Sequence, residues 1–167
     1  EIAPTYLVVA RLFLASILLG PIFIRKKDLI LMSKEIPPIL ILGIINAALP
    51  FFLFAYAAQD LSAGMLSILN GTSPLFALII AITWFRQNTT LMQIFGLGLG
   101  FIGLLVFIGI DQLTFIFYPV LLCLIGAFCY AYSNNILFKL NHIKSAALAS
   151  VTMISGFFFS LPLIFLE

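Results

Sequence analysis

Polar and helix-breaking residues lie at three places inside long apolar stretches of this sequence. If these stretches cross a membrane, polar groups within them are costly to bury and are therefore the first candidates for a functional role. Hydroxyl, amide and phenol groups there could hydrogen-bond a small, partly polar organic solute. We predict a substrate-binding set that consists of Asn46, Pro50, Ser67, Asn70, Ser73, Pro74, Tyr130, Ser133 and Asn134.

Two of the three places have an equally good structural interpretation. Pro50 lies four residues after Asn46 on the same helix face, and it kinks a helix because it has no amide proton to donate. Asn46 could therefore line a cavity or make an amide bond to a neighbouring helix. Tyr130, Ser133 and Asn134 share one helix face, where solute binding and hydrogen bonding between helices are both open.

The third place is a turn-like run, NGTSP at 70–74, at the centre of a long apolar stretch. Membrane carriers interrupt helices near the midplane, where freed backbone groups and small polar side chains meet the solute. Small residues also permit tight helix packing, which is the structural alternative. We favour a broken helix that contributes to a solute site.

Catalytic and metal-binding patterns are absent from the sequence. His142 is the only histidine, and no set of His, Cys and carboxylate residues has metal-ligand spacing. Without a second base, no Ser–His–acid arrangement is possible. Cys123 and Cys129 lie in an apolar run and are predicted to be packing residues rather than a disulfide. The sequence therefore predicts no enzyme, no cofactor and no metal site.

Three further residues are interpreted as structural. Arg11 lies about two turns inside the first apolar stretch, where it could extend outward or pair with Glu1 or Asp60. We assign it a role in folding and orientation rather than in solute contact. Gly96 and Gly100 form a G-x-x-x-G pattern, whose spacing lets two helix backbones approach closely.

The composition requires a lipid environment for the elements that hold these residues. Hydrophobic residues make up 63% of the 167 positions and charged residues only 8%, which is too few to cover a soluble globule. A bilayer core needs about 20 mostly apolar residues per helix. Such stretches occur at 5–24, 36–58, 61–85, 91–110, 115–138 and 146–166. The predicted fold is an all-α, polytopic transmembrane bundle.

The orientation of the bundle follows from its basic residues, which concentrate on the cytoplasmic side of membrane proteins. Alternate connections hold Arg25, Lys26, Lys27, Lys34, Arg86, Lys139 and Lys144, whereas the connections between them hold acidic residues and no base. We predict that loops 25–35, 86–90 and 139–145 are cytoplasmic, in a multi-pass protein of the cytoplasmic (inner) membrane. The net charge of +2 gives no reason to expect nucleic acid as a partner.

Several segments resemble EamA-type members of the drug/metabolite transporter superfamily. They are LPFFLFAYA at 49–57, LSAG at 61–64, ILNGTSPLF at 68–76, RLFLA at 11–15 and AFCYAYSN at 127–134. The resemblance implies ten helices in two inverted five-helix repeats, of which this chain would cover helices two to seven. Residues 1–110 would then belong to the first repeat and residues 111–167 to the start of the second. One departure is WFRQN at 84–88, where many relatives have a glycine–glutamate pair.

The resemblance also implies that the second, third and fifth spans of this chain line a solute cavity. These are the spans that contain the predicted substrate-binding residues. We therefore expect a secondary transporter that moves an amino acid, metabolite or drug-like compound across the membrane by alternating access, as an exporter. The alternative is a non-transporting helical scaffold or sensor subunit. The expected partners are the solute and membrane lipid, while a monomer and a homodimer are both open.

Overall fold

The computed structural model describes residues 3–24, 26–84, 86, 90–108 and 113–166, and this part of the chain is helical without strands. Its α-helices are, in chain order, α1 (Pro4–Phe23), α2 (Lys26–Met32), α3 (Ile36–Leu42), α4 (Leu49–Ala57), α5 (Ala63–Asn70), α6 (Ser73–Thr83), α7 (Leu91–Ile108), α8 (Leu113–Lys139) and α9 (Ser145–Ser160). A π-helical segment (Gly43–Ala48) joins α3 to α4, and a 3₁₀ segment (Leu161–Leu166) follows α9. The predicted all-α, polytopic fold class is confirmed.

Five of the six predicted spans are long and apolar enough to cross a membrane. They are Pro4–Phe23, Ile36–Ala57, Ala63–Thr83, Phe117–Lys139 and Ser145–Ile164. The predicted fourth span is also helical, as α7, but its described apolar part is the shorter Leu91–Gly103. That α7 crosses the membrane stays a prediction.

The connection predicted as a loop at 25–35 contains a short helix, α2. Its residues Leu29, Ile30 and Leu31 are exposed, whereas Met32 and Asp28 are almost completely buried. Met32 packs against Ile39 and Leu42 of α3 and against residues that surround the α8–α9 turn. Burial of Met32 and Asp28 places this segment against the bundle rather than extended into water.

The second span changes its helical type just before Pro50. Pro50 has no amide proton, so the carbonyl of Asn46 loses its usual partner, and the ring also crowds that carbonyl. The backbone responds by widening, and the Leu49 amide donates to the carbonyl of Ile44, five residues earlier. Pro50 itself begins the next regular segment within the first turn of α4. The kink that proline predicts is present as a π turn.

The helices pack in two groups around the second span. α9 lies along α1 and the π segment, while α8 lies along α4 and α6. The crossing of α9 and the π segment is very close, because a methyl group at Gly43 would overlap Ser155 and reach within 2.9 Å of the Gly156 backbone nitrogen. On the other side, a methyl group at Gly156 would lie 2.8 Å from the Ala47 side chain. Small residues on both partners therefore fix this contact.

Candidate functional site

A cavity of about 350 Å³ lies between α1, α4, α5 and α8. Its polar lining consists of residues that the sequence singled out on separate helices: Arg11, Ser67, Asn70 and Tyr130. Its apolar lining consists of Leu7, Val8, Phe51, Phe54, Ala55 and Leu66. The volume lies at the lower end of the range for small-molecule sites, and apolar surface combined with a few polar groups is typical of them. We call this space the Arg11 cavity.

Arg11 is the only charged residue that lines the cavity. Its guanidinium carbon lies 4.6 Å from the centre of the Phe51 ring, a distance at which a cation is attracted to the ring face. Of the two carboxylates considered as partners, Asp60 makes no ion pair with it, and Glu1 lies outside the described residues. Throughout the described part of the chain, the guanidinium makes neither an ion pair nor a hydrogen bond.

The third span breaks beside the cavity, as the sequence predicts. α5 ends at Asn70 and α6 begins at Ser73, with a turn at Gly71 and Thr72 between them. Pro74 cannot donate to the Asn70 carbonyl, so the Ser73 hydroxyl donates to it instead at 2.7 Å. The Thr72 hydroxyl donates to the Leu69 carbonyl at 2.6 Å. Side chains within the break therefore satisfy carbonyls that a continuous helix would satisfy with amides.

Two polar side chains of α5 face the cavity just before this break. The Ser67 hydroxyl donates to the Ala63 carbonyl at 2.9 Å, which leaves its lone pairs able to accept. The amide of Asn70 makes no hydrogen bond to any described residue. Both side chains are exposed to the cavity. Asn70 thus offers two N–H donors and a carbonyl acceptor to whatever occupies this space.

Tyr130 contributes the aromatic wall on the α8 side. Its ring lies 6.3 Å from that of Phe54 at an interplanar angle of 22°, so the two rings stack with an offset. Tyr130 is half-buried. The edge of α4 is held close to α8 here, because a methyl group at Gly126 would come within 2.8 Å of the Phe54 ring. Aromatic surface therefore closes one side of the cavity.

Asn46 and Ser133 form a hydrogen bond between helices rather than lining the Arg11 cavity. The Ser133 hydroxyl lies 2.7 Å from Asn46 Oδ1 and 2.8 Å from the Tyr130 carbonyl oxygen. A hydroxyl has one proton, so it donates to one of these oxygens at a time. Ser133 is completely buried, and the contact joins the π segment to α8 directly below Tyr130.

A second cavity, of about 310 Å³, lies on the other side of this contact. It is bounded by Asn46 and by residues near the α8–α9 turn and the start of α9, namely Leu137, Leu140, Asn141, Ile143, Ser145, Leu148, Ala149 and Thr152. We call it the Asn46 cavity. Tyr130 lines the first cavity and Asn46 the second, and the Ser133 hydroxyl lies within hydrogen-bond distance of both residues.

The sequence model of the EamA-like transporter family matches residues 1–109. The chain belongs to this family. It is therefore a membrane transporter of the drug/metabolite transporter superfamily, with several helices that cross the lipid bilayer. No curated protein and no solved structure matches the chain.

Several predicted substrate-binding residues of this EamA-like transporter lie outside both cavities. Pro50 is buried within the second span, and Ser73 and Pro74 form the break without lining either space. Asn134 is exposed on α8 and makes no hydrogen bond to a described residue. Their predicted role in solute binding stays a prediction.

The two glycines predicted to mediate helix packing differ in their surroundings. A methyl group at Gly100 would come within 2.9 Å of the Leu75 side chain of α6, so this position is close to a neighbour. A methyl group at Gly96 would meet nothing within 4 Å among the described residues. The predicted role of the two glycines in helix packing stays a prediction, and a close backbone approach is present at Gly43 and Gly156.

Sequence reasoning missed the apolar half of the Arg11 cavity. Phe51 and Phe54 lie three residues apart, so both project from one face of α4. That spacing follows directly after Pro50 and could have indicated an aromatic surface beside the predicted kink. Nothing in the sequence, however, pairs this surface with Arg11. The two cysteines agree with prediction, since Cys123 and Cys129 are both buried and free.

Proposed function

We propose that the protein is a secondary transporter that moves a small organic solute across the cytoplasmic membrane by alternating access, and that it acts as an exporter. The solute class is an amino acid, a metabolite or a drug-like compound. Membership of the EamA-like family supports the transporter assignment. The observation that carries the proposal is the Arg11 cavity, where polar residues from α1, α5 and α8 converge on one space beside a broken helix.

The arrangement of the two cavities supports the alternating-access part of the proposal. In the predicted orientation, the Arg11 cavity lies among the outer parts of α1, α4 and α5, while the Asn46 cavity lies toward the cytoplasmic turn between α8 and α9. A solute site needs access from each face in turn, with a barrier that can open. We infer that the Asn46–Ser133 contact is part of this barrier, because it joins Asn46 of the second cavity to the helix that carries Tyr130 of the first.

One observation favours the second candidate, a non-transporting scaffold or sensor subunit. In such a protein, the polar residues within the membrane would pair with one another rather than face water. The Asn46–Ser133 hydrogen bond is a pairing of that kind. Asn70 and Arg11 are not paired in this way among the described residues, which is why the transporter proposal is preferred.

The test is thiol accessibility in the protein without its native cysteines. Single cysteines at Ser67 and Asn70 report on the Arg11 cavity. Leu18, exposed on α1 but outside the cavity, gives a matched control that faces lipid, and buried Ser150 gives a packed control. Because thiol reagents react with the hydrated thiolate, a cysteine in a water-filled path reacts and a cysteine against lipid does not.

We expect a membrane-impermeant reagent to modify Ser67→Cys and Asn70→Cys much faster than Leu18→Cys or Ser150→Cys. We also expect a panel of amino acids and amphipathic drugs to include compounds that slow this modification and accumulate in vesicles against a preloaded pool. Unreactive cysteines at both cavity positions in a folded protein would refute the solute path and favour the scaffold.

A further inference from the structure

Among the residues that the structure describes, the guanidinium of Arg11 has no counter-charge, although it lines a cavity that is partly apolar. In the described part of the chain it makes no ion pair, and Phe51 is its closest attractive partner. An aromatic ring attracts the positive charge but accepts few of the five N–H donors that a guanidinium carries. A charge within a membrane is stable only when it is paired or hydrated. The cavity therefore contains a strong and unused anion-binding group.

We propose that Arg11 binds the carboxylate of a solute whose remaining part is apolar. This inference rests on the proposed transport function and narrows its substrate class to apolar monocarboxylates, including amino acids with apolar side chains. The planar fork of the guanidinium matches the two oxygens of a carboxylate, which allows two parallel hydrogen bonds.

The rest of the cavity determines what the carboxylate is attached to. Leu7, Phe51, Phe54 and Leu66 offer apolar surface that would bury a hydrocarbon group. Asn70 and Ser67 of α5 offer an amide and a hydroxyl, which suit one further polar group such as an amine. The described lining holds no second cation, so a dianion would keep one charge uncompensated.

Phe51 also holds the guanidinium in position. Its contact with Arg11 at 4.6 Å limits the freedom of a long, flexible side chain before the solute arrives. Less rotamer entropy is then lost on binding. Phe51 is thus a positioning residue, and replacing it by Leu keeps apolar surface while removing the ring that attracts the cation.

The experiment uses four probes that share one hydrocarbon group. Leucine and 4-methylpentanoate carry the carboxylate, whereas leucinamide and 3-methylbutylamine do not. Each is tested for its ability to slow the modification of Ser67→Cys in the protein in lipid vesicles. We expect protection by both carboxylates, and roughly tenfold to a hundredfold weaker protection by the two amines, as loss of a charge-assisted hydrogen-bond pair implies.

Variants then connect the effect to Arg11. Arg11→Gln should remove the preference for carboxylates, Arg11→Lys should keep part of it, and Phe51→Leu should weaken protection while preserving the preference. Lys139→Gln, which removes a cation at the far end of α8, is the control and should change nothing. The comparison among probes needs no Arg11 variant, so it still tests the preference for carboxylates if Arg11→Gln does not fold.

Equal protection by leucinamide and leucine, or protection by 3-methylbutylamine alone, would overturn the inference while leaving the proposed transport function intact. If neither leucine nor 4-methylpentanoate slows the modification, the inference is also overturned. The proposed function is judged separately, by the reactivity of the cavity cysteines and by transport of the wider panel.

Discussion

The Ser133 side chain shows how one hydroxyl can hold two membrane helices in register. Its oxygen lies within hydrogen-bond distance of Asn46 on the π segment and of a carbonyl on its own helix, and it is completely buried. Lipid offers no competing partner, so Asn46 Oδ1 would lose the hydroxyl that donates to it if Ser133 were absent.

Replacing Ser133 by Ala should therefore lower the free energy of unfolding by about 1 kcal/mol. If the contact separates the two spaces, the substitution should also let an impermeant thiol reagent added from the outer face react faster with a cysteine at Asn141, which lines the Asn46 cavity. Thermal unfolding and labelling rates are the measurements. Ser16→Ala is the matched control, since the Ser16 hydroxyl bonds only to the Leu12 carbonyl of its own helix. Equal effects of the two substitutions would contradict this role for Ser133.

At the scale of elements, the crossing of the π segment and α9 depends on the absence of side chains. A methyl group at Gly43 has no space, because Ser155 and the backbone of Gly156 lie directly against it. Part of this obstacle is the backbone nitrogen of Gly156, which cannot rotate away as a long side chain can.

Gly43→Ala should destabilise the protein by about 1 to 3 kcal/mol through overpacking at this crossing. Gly96→Ala is the control, because the new methyl group meets nothing among the described residues and alanine favours helix more than glycine does. Gly43→Ala should therefore lower the unfolding temperature, whereas Gly96→Ala should raise it or leave it unchanged. A greater loss of stability in Gly96→Ala would show that another element packs on that face.

The sequence predicted the elements better than their contacts, for physical reasons. Apolar length alone locates the spans, and NGTSP at 70–74 locates the broken helix because proline and small polar residues act within their own turn. By contrast, the sequence predicts a loop at α2, because the basic residues at its start outweigh the apolar residues that follow. The pairing of Phe51 with Arg11 depends on helix rotation and proximity, which no local pattern contains.

At the scale of the whole molecule, two buried clusters lie at opposite ends of the bundle. One surrounds Met32, Leu42 and Leu140 near the connections predicted to be cytoplasmic, and the other surrounds Ala57, Leu61 and Val120 near the opposite ends of the spans. The Asn46 cavity is bounded by Leu140 of the first cluster, and the Arg11 cavity is bounded by Phe54, which packs against the second. Each cavity therefore borders one packed cluster.

The predicted orientation can be tested with single cysteines at exposed turns. Those at Lys27 and His142 should react with an impermeant thiol reagent only from the cytoplasmic side, and one at Gln59 only from the opposite side. Intact cells and inside-out vesicles provide the two measurements, and permeabilised membranes show that all three sites can react. Labelling of Gln59→Cys and Lys27→Cys from the same side would contradict the span assignment.

The π turn before Pro50 has a consequence for the evolutionary history of the second span. A π turn contains one more residue than an α turn between a carbonyl and the amide bonded to it, as between Ile44 and Leu49. Each added residue would rotate everything after it by about 100° in a regular helix. The wider turn absorbs that rotation, so a relative that lacks one residue between 43 and 48 would still present its equivalents of Phe51 and Phe54 to the same space. An alignment gap of one position there would mark an inherited insertion rather than a different binding surface.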